Sequence, residues 1–76
     1  MIKEHDRVVL NADIPEEGLR EGDVGTVAHV YPDGQAVEVE FLALNGKTVA
    51  VITIPEFQVR PVNSQDITHA RRLVAA

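Results

Sequence analysis

Three histidines, two closely spaced glutamates, one serine and a pair of arginines are the residues of this 76-residue chain best suited to chemistry. His5, His29 and His69 would serve as metal ligands or proton carriers. They fall in three separate segments, none with a second ligand at the spacing that puts two side chains on one helix or strand face. Surface or structural roles suit them better. Glu38 and Glu40 have the types needed for paired general acid and base. Two residues apart in an alternating run, they form the solvated side of an amphipathic strand. Ser64, the only serine, sits where a helix cap is needed rather than beside a general base. Gly22-x-x-Gly25 leads into a strand, not a helix, so it is no phosphate-binding loop. The chain has no cysteine, which removes thiolate catalysis, disulfides and cysteine-based zinc sites. The expectation is a protein that is not an enzyme, with no catalytic residue, no cofactor and no metal.

One constellation survives. Leu42, Val49 and Val51 share the outward side of a hairpin with Glu38 and Glu40, mixing apolar and acidic groups. These five residues form a candidate partner surface with an acidic rim, suited to a basic protein or to a second copy of the chain. The alternative is that the long first loop or the C-terminal segment covers them. A proline-rich peptide groove is disfavoured, because such grooves are lined by aromatics and the chain has only Tyr31, Phe41 and Phe57.

Charge points the same way. Residues 1–61 hold eleven acids against five bases, and the formal net charge is −5. A nucleic-acid binder needs a basic face to displace counterions, and only Arg71-Arg72 forms a basic run. Direct nucleic-acid binding is disfavoured. The charged start Met-Ile-Lys-Glu-His-Asp lacks a signal-peptide core, and an apolar run such as Val49 to Ile52, which no other exceeds in length, is too short to span a bilayer. A cytoplasmic location without membrane contact is expected.

The elements that must position these residues are strands. Asp6 to Leu10 reads as the first. Asn11 to Asp23 is a long acidic loop anchored by Ile14 and Leu19. Val24 to Tyr31 is the second strand, and Gly25 within it marks a bulge, a bend or a close backbone approach. Tyr31-Pro-Asp-Gly34 is a turn, because Pro32 presets φ and Gly34 accepts a left-handed conformation. The next hairpin pairs Val30 with Val37 across a two- or four-residue connection, or Val30 with Ala36 across a three-residue one. Ala36 to Leu42 alternates Val37, Val39 and Phe41 against Glu38 and Glu40.

Asn45-Gly46 predicts a two-residue type I′ hairpin. That register sets Phe41 opposite Ala50, Val39 opposite Ile52, Val37 opposite Ile54, Glu40 opposite Val51 and Leu42 opposite Val49. A one-residue slip would bury the glutamates, so the pattern defends itself. The fourth strand ends at Pro55 and a fifth covers Phe57 to Arg60. From Ser64 to Leu73 the spacing of Ile67, Ala70, Leu73 and Val74 predicts a short helix, marginal alone, that docks or frays. The fold class is all-β: a small five-stranded barrel over residues 1–61, with residues 62–76 as a C-terminal tail.

The run Arg20-Glu-Gly-Asp-Val-Gly-Thr-Val-Ala-His-Val-Tyr-Pro-Asp-Gly34 lies between Asp6-Arg-Val-Val-Leu10 and Val37-Glu-Val-Glu-Phe41, and Gly46-Lys-Thr-Val-Ala-Val51 follows. Together these resemble an uncharacterised bacterial family of small SH3-like β-barrel proteins, a domain of unknown function, over roughly residues 6–61. The shorter Gly22-x-x-Gly25-x-Val27 core is similar to the glycine-valine motif of KOW-type barrels. The resemblance implies the barrel and carries no catalytic residues. It suggests a non-catalytic protein-interaction module, a small companion of a partner encoded nearby as in toxin–antitoxin pairs. The alternative is a KOW-like accessory of a ribonucleoprotein or transcription complex. The acidic loop, the outer hairpin face and the Arg71-Arg72 tail are the candidate contact regions.

Overall fold

Alternating β-branched residues and glycine-containing turns organise the computed structural model, which describes residues 2–73. The strands are β1 (Arg7–Leu10), β2 (Val24–Val30), β3 (Ala36–Leu42), β4 (Thr48–Pro55) and β5 (Val59–Pro61). They form one antiparallel sheet in the order β4-β3-β2-β1-β5. β4 and β5 are the ends of the ladder and do not pair with each other, so the sheet wraps around its core without a closing hydrogen-bonded seam. A 3₁₀ turn at Glu56–Gln58 carries the chain between them. The fold is a small all-β, barrel-like one.

Val8, Leu10, Val27, Val37, Val39, Phe41, Ala50, Ile54 and Val59 supply the inward face from all five strands, and Ile2 and Leu19 complete it. In the long loop, Ile14 and Leu19 bridge each other across the 3₁₀ turn Pro15–Glu17 and anchor it to this core as their types predicted. Gly25 faces the core: a Cβ there would lie 2.5 Å from Val39 Cγ1 and 2.9 Å from the Glu40 carbonyl oxygen. The strand glycine therefore marks a close approach. The irregularity of β2 lies further on, between Val27 and His29.

The β3–β4 register follows the hydrophobic pattern: Phe41 faces Ala50, Val39 faces Ile52, and Val37 faces Ile54. The turn differs from expectation. Only Gly46 has positive φ there (90°), and its N–H donates to the Ala43 carbonyl at 2.9 Å. Ala43 pairs with Lys47 across the three-residue loop Leu44 to Gly46, not a two-residue type I′ turn. The extra residue is absorbed by a bulge, so Leu42 faces Thr48 instead of Val49. Burial of the alternating face outweighs turn preference, and the bulge restores the register within one residue. The other hairpin takes the four-residue option, with Val30 opposite Val37 and Tyr31 N–H bonded to Ala36 O.

Two assignments are corrected. Phe57 and Gln58 lie in the 3₁₀ turn, so the last strand starts at Val59. No helix forms between Ser64 and Leu73; after a turn at Ser64–Gln65 the tail runs without regular structure. Ten residues sit at the margin of helix nucleation, and here side-chain anchors to the barrel decide the path instead. Val74, assigned to that helix, lies outside the described residues, as does the rest of the tail beyond it.

Candidate functional site

Glu38, Glu40, Leu42 and Val51 stand on the outer face of β3 and β4, where alternation places them. Glu40 faces Val51 across the ladder and accepts a hydrogen bond from Thr48 Oγ1 at 3.1 Å. Leu42 and Val51 are 50% and 51% exposed, so neither the loop nor the tail closes over them. Val49 departs from the expected set. The bulge turns it partly inward, where it packs against the core. At the far end of the same face, His29 lies opposite Glu38, but its Nδ1 is 3.6 Å from Glu4 Oε2 and its ring meets Tyr31 edge-on.

A second cluster joins two regions that the sequence leaves separate, the acidic loop and the Arg71-Arg72 tail. Asp23 closes the turn that feeds β2: its Oδ2 accepts the Arg20 N–H at 2.9 Å, and its carbonyl accepts the Leu10 N–H. Its side chain is only 11% exposed. From the tail, Arg71 reaches it with both prongs, Nε to Oδ1 at 2.8 Å and Nη2 to Oδ2 at 2.6 Å. The same Nη2 also donates to the Gly18 carbonyl at 2.9 Å. His69 Nε2 lies 3.3 Å from Asp23 Oδ1, and its ring covers Gly22. At the start of the tail, Asp66 accepts from both terminal guanidinium nitrogens of Arg60 in β5 and from the Asn63 N–H.

Electrostatics locks this arrangement. Partial burial by itself would raise Asp23, but the Arg71 hydrogen bonds, the Arg20 amide, the Arg71 charge and His69 together outweigh it and hold the carboxyl below its ordinary range. Asp23 in turn raises Arg71. The Arg60 bonds, then the Asn63 amide, hold Asp66 low. An ionised carboxylate with donors on both oxygens is an acceptor for a fixed cation, not a free general base.

The tail also covers part of the sheet. Val9 points away from the core side taken by Val8 and Leu10, yet it is only 7% exposed and lies outside the core cluster. It lines a groove bounded by Thr26 and Leu42 on the sheet and by Ile67, His69 and Leu73 on the tail. The tail thus borders the β1–β2 side of the outer face, while Leu42 and Val51 on the β3–β4 side stay half-exposed. Among the described residues no three His, Asp or Glu side chains are grouped to hold a metal ion, and no helix is long and apolar enough to cross a membrane.

Sequence reasoning placed the acidic loop and the Arg71-Arg72 tail as separate contact regions; the fold brings them onto each other. The signal was one of type only, an excess of bases in the tail over an acidic barrel, with no spacing to choose Asp23.

A family model described as a domain of unknown function (DUF4926) matches residues 4–61. No curated protein and no solved structure matches the chain. Asp23 and Gly18 lie inside the matched segment, and Arg71 and His69 lie outside it.

Proposed function

The chain belongs to this family, and from the physics of its outer face we propose that it is a non-catalytic protein-interaction module of SH3-like type, bacterial and cytoplasmic. The contact region is the open β3–β4 half of the sheet, and the partner is a protein with a basic surface encoded near it. The carrying observation is the pairing of two half-exposed aliphatic side chains, Leu42 and Val51, with Glu40 between them and Glu38 at the rim. The apolar pair supplies area to desolvate, and the glutamates steer a positive partner. β4 adds a free strand edge without a single charged residue. Unprotected edges of this kind are where other chains bind or aggregate, so an occupant fits the surface better than bulk water does.

The test is gel filtration of the full chain with the product of the neighbouring gene. A shift to a common peak, lost in Val51→Glu and Leu42→Lys while both variants keep the wild-type circular dichroism, supports the reading. Association that survives both substitutions assigns the contact elsewhere.

A further inference from the structure

We propose that Asp23 and the Gly18 carbonyl form an arginine-binding site on the barrel, which the chain's own Arg71 occupies as an internal ligand and which an arginine-bearing extended segment of a partner protein takes by displacing the tail.

Three observations carry this. The site is built on the barrel: Asp23 is oriented by the Arg20 amide, and with the Gly18 carbonyl it offers three acceptors to one guanidinium. Such a planar, forked arrangement suits arginine and not lysine. The site is closed around a cation: with Arg71 and His69 in place the Asp23 side chain is only 11% exposed, so its charge is met by the guanidinium rather than by water. And the present occupant is held by side chains alone. Beyond Asp66 no backbone N–H or carbonyl of the tail is bonded to another backbone group among the described residues, and Ile67 is 91% exposed. A segment anchored this way releases as a unit once the Arg71 fork opens.

Charge complementarity names the occupant. Residues 1–61 carry eleven acids against five bases, so a basic segment is drawn to the barrel whichever chain supplies it. A tethered occupant has a high effective concentration and weakens binding of the same sequence in trans. Opening the tail would also widen the groove that Val9 and Thr26 line on the sheet. The inference deepens the proposed function and rests on it for the basic character of the partner. Its test involves neither Leu42 nor Val51, so the two fail separately.

The probe is a blocked peptide with the sequence of residues 66–73, Asp-Ile-Thr-His-Ala-Arg-Arg-Leu, titrated into full-length protein and followed through backbone amide shifts of Arg20 and Asp23. Arg71→Ala is expected to bind it at least tenfold more tightly than wild type. Adding Asp23→Asn to that variant is expected to abolish the binding, as is replacing the first arginine of the peptide by alanine. If folded Arg71→Ala shows no saturable shift, or if wild type binds equally well, the contact is only a structural clamp and the proposal is overturned. Should Arg71→Ala not fold, Arg71→Lys, which keeps the charge but not the fork, takes its place. A gain in affinity over wild type supports the site, and no gain overturns it.

Discussion

Arg71 grips Asp23 through both prongs of its guanidinium, at 2.8 and 2.6 Å, across 48 residues of sequence. The contact joins the only basic run of the chain to the turn that launches β2. It therefore sets the path of the tail along the β1–β2 side of the sheet.

Loss of this pair is expected to be felt globally. Arg71→Ala removes three charge-assisted hydrogen bonds and leaves the Asp23 carboxylate with only the Arg20 amide and His69 beside it, a cost of about 1–3 kcal/mol. Urea unfolding should show the midpoint falling without a change in slope. Arg60→Ala removes an exposed pair with Asp66 and is expected to move the midpoint much less. Equal effects would mean that burial of Asp23 contributes nothing.

Acid should act through the same carboxylate. The folded value of Asp23 lies below its unfolded value of about 3.9. Its contribution is therefore fully present above that unfolded value and is lost as pH falls through the lowered one. Wild type is expected to lose stability on acidification below about pH 4, and Asp23→Asn to lose less over the same range, starting from a lower plateau. Asp66 contributes with the same sign and remains in the variant. Urea midpoints measured from pH 7 to pH 3 would expose an unchanged slope in Asp23→Asn, which would contradict the assignment.

Two glycines should respond to alanine for different reasons. At Gly25 the new methyl meets Val39 and the Glu40 carbonyl at 2.5 and 2.9 Å, and a carbonyl in a ladder cannot move aside. Overpacking of this kind costs about 1–3 kcal/mol or more. At Gly46 nothing lies within 4 Å, and only the positive φ of 90° opposes a side chain. The expected cost there is about 1 kcal/mol, from backbone strain. Thermal melts of the two variants should rank Gly25→Ala as clearly the worse, and the reverse order would place the strain in the turn.

His5 is the one non-glycine residue with positive φ among those described, 74°, in the turn before β1. Its N–H is bonded to Val27 O, so the conformation is held by the sheet. His5→Gly relieves the strain and is expected to be neutral or stabilising by up to about 1 kcal/mol. His5→Val, β-branched in the same conformation, is expected to destabilise. Chemical denaturation of the pair reads the difference directly.

Much of the sheet was legible because its information is local and periodic. In β3 and β4 the alternation of Val37, Val39 and Phe41 with Glu38 and Glu40 admits one register, and a wrong turn type shifted it only at Leu42. The candidate surface inherited that accuracy: Glu38, Glu40, Leu42 and Val51 stand where alternation put them, and only Val49, at the bulge, does not. The tail was illegible for the opposite reason. Ile67, Ala70 and Leu73 have helical spacing, but the energy that decides their conformation comes from Arg71 and His69 meeting Asp23.

By itself, then, the chain's sequence determined four strands and the place of the fifth, most of the inward residues and the acidic outer face, since each follows from side-chain period and turn chemistry over a few neighbours. Only the tertiary structure decided that Asp23, one acid among several in its loop, holds an arginine from the far end. A charge pair has no period, and its partner is selected by which groups the folded sheet leaves half-buried and close enough to touch.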